Sequence, residues 1–152
     1  MQRTTRLRLL MNLWPPFLFA GIRVLAISPD LRHVAVRLKR HWFNRNYVGT
    51  HFGGSLFAMT DAFWMIMVLE NLGRDYIVWD KAAEIDFVKA VREPVYARFD
   101  LEPALLDTLK EAVARDGKTL HWFPVDVTTA DGTVVARVRK QVYIRRKQRA
   151  AT

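Results

Sequence analysis

Residues 44–72 read NRNYVGTHFGGSLFAMTDAFWMIMVLENL, and the rest of the chain is best understood from this passage outward. From Phe52 to Leu72 the spacing predicts one long helix, apolar on every side and closed by Gly73. A helix without a polar face must be wrapped by other structure. Thirteen of the eighteen residues in Phe52–Leu69 are apolar, long enough to raise the question of a membrane span. Asp61 sits in the middle, however, where a bilayer costs a charge roughly 2.5–3.5 kcal/mol. A helix buried in protein, with no stable membrane insertion, is the expectation.

The flanks supply the wrapping. Arg23–Ile27 and Leu31–Lys39 read as strands around the turn Ser28-Pro29-Asp30. In the second of them Val34, Val36 and Leu38 alternate with Arg37 and Lys39. After the helix come Tyr76–Val88, then Pro94–Leu101 with Val95, Ala97, Phe99 and Leu101 on one face. A second helix over Pro103–Arg115 starts at a proline and ends at Asp116-Gly117. Thr119–Thr128 and Thr133–Ile144 form a hairpin about Ala130-Asp131-Gly132. The class is α+β, a curved antiparallel sheet around one long central helix. Residues 1–152 are expected to form a single domain, with 1–20 an N-terminal helical extension kinked at Pro15-Pro16 and 146–152 a flexible tail.

Composition narrows the function. The 152 residues contain no cysteine, which excludes disulfides, thiolate metal sites and a cysteine nucleophile. The net charge is +9, but residues 41–136 carry nine bases against fourteen acids. The basic ends therefore suggest local phosphate patches rather than a nucleic-acid partner. Arg3, Arg6 and Arg8 before Leu9–Phe19 imitate a secretion signal, which Asn12 and Pro15-Pro16 interrupt; the expected compartment is the cytoplasm. His33, His41, His51 and His121 show no metal-ligand spacing, so no metal is expected. No nucleophile elbow or phosphate loop is present.

Two features carry chemistry. Gly53-Gly54 opens the helix, where bare backbone N–H groups with the helix dipole behind them suit an oxygen gaining negative charge. Asp61 lies seven residues beyond Gly54. A carboxylate on an apolar helix either attacks a carbonyl or activates water, or it is paired structurally, with Lys81, Arg37 or a backbone cap as candidates, or it faces a subunit cleft.

Gly-Gly followed seven residues later by Asp on an apolar helix resembles the PaaI-type acyl-CoA thioesterases of the hotdog superfamily. The wider stretch Gly49–Phe57, with Trp79-Asp80-Lys81-Ala82-Ala83-Glu84-Ile85 after the helix, looks closer to an uncharacterised branch of that superfamily. The resemblance implies a hotdog fold, a homodimer or dimer of dimers, and a site shared between two subunits. Asp61 of one subunit would be nucleophile or general base, Gly54 (beside Gly53) at the helix start of the other the oxyanion donor, and Asn46 would orient water or the thioester. His51 departs from the pattern, because Phe52 stands where the family has its histidine. The implied substrate is an acyl-CoA, with coenzyme A as part of the substrate and no other cofactor. Arg137, Arg139 and Arg145 share the outer face of the last strand and are candidates to hold its phosphates. Two other functions stay open: a hotdog protein that binds acyl-CoA without cleaving it, and an acyl-thioester dehydratase or hydratase using His51 and Asp61.

Overall fold

The computed structural model describes residues 3–147. Six strands, β1 (Ile22–Ile27), β2 (His33–Leu38), β3 (Tyr76–Phe87), β4 (Val95–Asp100), β5 (Lys118–Thr128) and β6 (Val134–Arg146), form one sheet in the order β1-β2-β4-β5-β6-β3. Every neighbouring pair is antiparallel. The alternation read from the sequence sets the faces: Val34, Val36, Leu38, Val95, Ala97 and Phe99 are all buried against the helix. At the expected β5–β6 turn Gly132 takes φ +88°, in the left-handed region that favours glycine.

Gly53–Leu72 is the stretch among the described residues long and apolar enough to cross a membrane by length and composition, and half of it is buried inside the protein. The expectation of one unbroken helix needs correction. It forms two pieces, α3 (Gly53–Ala58) and α4 (Phe63–Leu72), separated at residues 59–62. The break has a local cause. Thr60 and Asp61 donate their backbone N–H groups three residues back, to Phe57 O (3.0 Å) and Ala58 O (3.2 Å), and the Thr60 hydroxyl also bonds Phe57 O at 2.8 Å. Such bonds tighten the turn and end the α-helical ladder. Asp61 is thereby turned out of the helix line.

The N-terminal segment also divides as expected, into α1 (Arg3–Leu13) and α2 (Pro15–Ala20), with the two prolines opening α2. Asn12 exchanges two hydrogen bonds with the backbone of Val24 on the free side of β1 (3.1 and 2.7 Å), and Arg3 pairs with Glu70 on α4 at 2.5 Å. These helices therefore close the central helix from the β1 side. The helix α5 (Pro103–Asp116) buries Leu106, Leu109 and Val113. The expected tail begins later than the sequence suggested: Arg146 pairs with Tyr76 in the β3–β6 ladder and Lys147 N–H bonds Asp75 O at 2.8 Å, while 148–152 lie outside the described residues.

Phe63 is the packing hinge of this arrangement. Its ring lies 5.9 Å from Phe17 on α2 and 5.0 Å from Phe99 on β4, and it is 1% exposed. Replacing Phe63 with Ala removes both contacts and leaves a cavity, so denaturant unfolding of that variant is expected to show a loss of about 3–5 kcal/mol. A loss below about 1 kcal/mol would mean that α2 is not anchored through this ring.

Candidate active site

The loop before the helix is built around two asparagines. Asn44 is buried; its side-chain amide donates to Ala20 O and Lys39 O (both 2.8 Å) and its Oδ1 accepts from His41 N–H at 2.5 Å. Asn46 closes the next turn upon itself. Its Oδ1 accepts from Thr50 N–H (2.9 Å), while its Nδ2 donates to Thr50 Oγ1 (2.8 Å) and His51 O (3.2 Å). Gly49, at φ +84°, provides the left-handed residue this turn requires. The carboxamide of Asn46 is thus occupied in shaping the loop that delivers His51.

His51 is 5% exposed, and its Nε2 lies 2.7 Å from Glu93 O. A carbonyl can only accept, so Nε2 carries the proton and Nδ1 is a bare acceptor. Nδ1 is buried and has no partner among the described residues. Burial is the main reason that the imidazole titrates below its ordinary value, opposed by the Glu93 carbonyl bond, with the charge of Arg40 a smaller contribution in the same direction as burial.

Gly53 and Gly54 open α3 without a side-chain cap. Their N–H groups lie in the first turn, where the helix itself offers no acceptor, and the described residues supply none. Neither glycine has a positive φ; a side chain at either would meet the far end of an exposed phenylalanine ring. A Cβ on Gly53 would stand 2.9 Å from the Phe87 ring, and one on Gly54 2.4 Å from the Phe52 ring.

For Asp61 the sequence left open a structural pair or a place facing a subunit cleft. Its side chain is 61% exposed, and the buried charge of this region is Lys140, at 2%. Lys140 Nζ bonds Asp61 Oδ1 and also Asp80 Oδ2, the latter at 3.0 Å. Neither Lys81 nor Arg37 is the partner of Asp61. Asp61 Oδ2 has no hydrogen-bond partner among the described residues. Burial pushes the Asp80 carboxyl above its ordinary range, with Lys140 pulling the other way and the Asp61 charge adding to the rise. Lys140 was legible in principle. It occupies the inward register of β6, between Val138 and Val142, where a lysine is out of place on an otherwise apolar face.

The candidate residues fall into two pockets. One, of about 390 Å³, is lined by Asn46, Thr50, His51, Gly53, Phe87 and Val91, among others. The second, of about 200 Å³, is lined by Trp14, Pro16, Phe17, Gly54, Phe57 and Asp61, with Ala58. Gly54 and Asp61 thus share one cavity within the chain, whereas His51 and Asn46 belong to the other. Arg137, Arg139 and Arg145 do share the outer face of β6. Arg139 is taken by Glu84 and lies over the Trp122 ring, and Arg145 stands roughly 20 Å along the strand from it, so the three do not form one cluster. No group of three metal-ligating side chains occurs among the described residues.

The state of His51 makes a testable statement. A group whose folded pKa is lowered contributes stability that is present above its unfolded value, near 6.5, and lost as pH falls through the folded value. Melting temperature is therefore expected to drop on acidification below about pH 6.5. His51→Gln, which keeps a donor for Glu93 O but cannot take up a proton, is expected to flatten that drop. Identical pH profiles for the two proteins would contradict the assignment.

Comparison with known proteins agrees with this fold. A protein of unknown function from Pseudomonas aeruginosa, described as "Probable Thioesterase", superimposes with a TM-score of 0.83 at 20% identity, over 97% of this chain and 99% of that one. A thioesterase from Haemophilus influenzae superimposes with a TM-score of 0.69 at 13% identity, over 100% of this chain and 96% of its own. Zebra fish thioesterase superfamily member 2 does so with 0.66 at 17%, over 92% and 96%. A search of curated proteins finds no match. The family model described as "Domain of unknown function (DUF4442)" matches residues 3–144. The chain belongs to that family, and it shares the hotdog fold of these solved structures.

Proposed function

We propose that this protein hydrolyses acyl-CoA thioesters, in the cytoplasm, at sites formed by a homodimer. The observation that carries the reading is the state of Asp61. Lys140 holds one carboxylate oxygen, the other is without a partner, and the same pocket is bordered by Gly54 at the helix start. A carboxylate with a free oxygen in the same pocket as unpaired N–H donors suits the activation of water against a polarised carbonyl. Asp61 takes a proton from water as the new O–C bond forms at the thioester carbon. The carbonyl oxygen, now negative, is received by the Gly54 N–H. Collapse of the tetrahedral species breaks the C–S bond, and the thiolate recovers the proton from Asp61.

Lys140 is a positioning residue here, fixing the direction of the Asp61 carboxylate from inside the sheet. Asn46 and His51 shape the neighbouring pocket rather than meeting the reacting carbon within the same chain. The dimer is supported by β3, a twelve-residue edge strand exposed along most of its length, with Trp79 and Phe87 in solvent. Such an edge invites pairing with a second copy. That pairing would bring the His51 pocket of one subunit toward the Asp61 pocket of the other. Arg137, next to the Phe87 end of β3 in the ladder and free of ion pairs among the described residues, is the arginine best placed for coenzyme A phosphates.

The test is free-thiol release from short, medium and aryl acyl-CoAs. Asp61→Asn is expected to abolish turnover with the fold intact. Lys140→Met is expected to lower kcat with little change in KM, because it disturbs orientation and not substrate binding. Full turnover by Asp61→Asn would overturn the mechanism. Tight acyl-CoA binding without turnover in the wild type would identify a binding protein instead.

A further inference from the structure

The N-terminal face carries a patch that the proposed reaction does not use. Phe19 on α2 and Trp42 are 73% and 81% exposed, and Leu13 at the end of α1 is 69% exposed. They stand on the N-terminal helices and on the loop tied to the end of α2. The Asn44 amide joins the loop bearing Trp42 and Phe43 to Ala20 at the end of α2, and the exposed Trp14 follows Leu13 at the start of α2. Phe43 meets Trp42 edge-on at 5.6 Å and stacks on His41 at 5.1 Å. An exposed apolar area of this kind marks an interaction surface.

Its charge identifies the partner. The first sixty residues hold nine Lys/Arg and one acid, Asp30. Arg6 lies one turn before Leu9 and Leu10 on α1. Arg23 and Lys39 flank the end of α2, where Lys39 N–H bonds Gly21 O at 3.2 Å, and Arg45 follows the Trp42–Phe43 loop. All four are exposed, and none has an ion-pair partner among the described residues. A second copy packed on this face by two-fold symmetry would set these cations against their own images, which is unfavourable. An anionic bilayer would neutralise them while receiving the tryptophans and leucines at its interface.

We infer that this face docks the protein on anionic membrane surfaces. Apolar side chains and a cationic rim act together, the two signals that stable peripheral attachment needs. The pocket beside Asp61 is walled by Trp14, which also belongs to the patch. Acyl chains held in the bilayer would then meet that pocket at the membrane surface, a consequence that rests on the thioesterase reading; the docking itself does not.

Co-sedimentation of the full chain with vesicles tests it, with phosphatidylcholine alone against phosphatidylcholine mixed with phosphatidylglycerol. The protein is expected to pellet with the mixed vesicles, weakly with the neutral ones, and to be released by salt. Trp42→Ser with Phe43→Ser, and separately Arg23→Glu with Lys39→Glu, are each expected to lower partitioning about tenfold or more. Circular dichroism should stay unchanged in both, since all four side chains are at the surface. Equal partitioning of wild type and both variants would overturn the proposal. So would a change of oligomer size in the Trp42–Phe43 variant without lipid, which would assign the patch to protein–protein contact. Vesicle binding is read without substrate, so failure of the thioesterase assay does not affect it.

Discussion

The ammonium of Lys140, buried between Asp61 and Asp80, is the interaction on which the rest of the site depends. A lysine cannot be taken into an apolar sheet face without charged partners. Here the partners come from two different elements: Asp80 from the edge strand and Asp61 from the break in the central helix. One side chain thus ties the helix to β6 and β3 at the point where the helix ladder is interrupted. The tightened turn at Thr60 presents Asp61, and Lys140 fixes the carboxylate that the turn presents. Asp80, its carboxyl pushed up by burial, completes a cluster in which two carboxylates share one ammonium's donors.

The two halves of the chain position the site differently. The sheet and α4 form the apolar scaffold, with Trp64 packed against Phe99 and Phe123. The loop from Asn44 to Phe52 is held by side-chain amides and one left-handed glycine rather than by a ladder. The N-terminal helices close the remaining side of the central helix and bring Trp14 and Phe17 against Gly54 and Asp61. The segment that looks like an appendage in the sequence is therefore a wall of the proposed pocket.

Period-two alternation in β2, β4 and β6, and the apolar run of the central helix, made the fold legible, because burial on one face imposes those periods directly. The long-range pairing of Lys140 was harder to read. Sequence distance hides that residues 61, 80 and 140 meet, and the eye passes over one lysine among the alternating cations of β6. The inward register of Lys140 and Asp80 held the signal. The helix break was missed because apolar composition continues across it, and the turn depends on hydrogen bonds at Thr60 that composition does not encode. The glycine–aspartate spacing picked out two residues, Gly54 and Asp61, that line one pocket. That spacing carried no information on how exposed Asp61 would be.

The most direct measurement is a crystal structure of the full chain with a non-hydrolysable acyl-CoA analogue. The account predicts the carbonyl oxygen about 2.7–3.1 Å from the Gly54 N–H, with the free oxygen of Asp61 facing the carbonyl carbon and a second chain along β3 completing the cleft. An analogue seated away from Asp61, or bound to a chain whose β3 edge remains open, would contradict it.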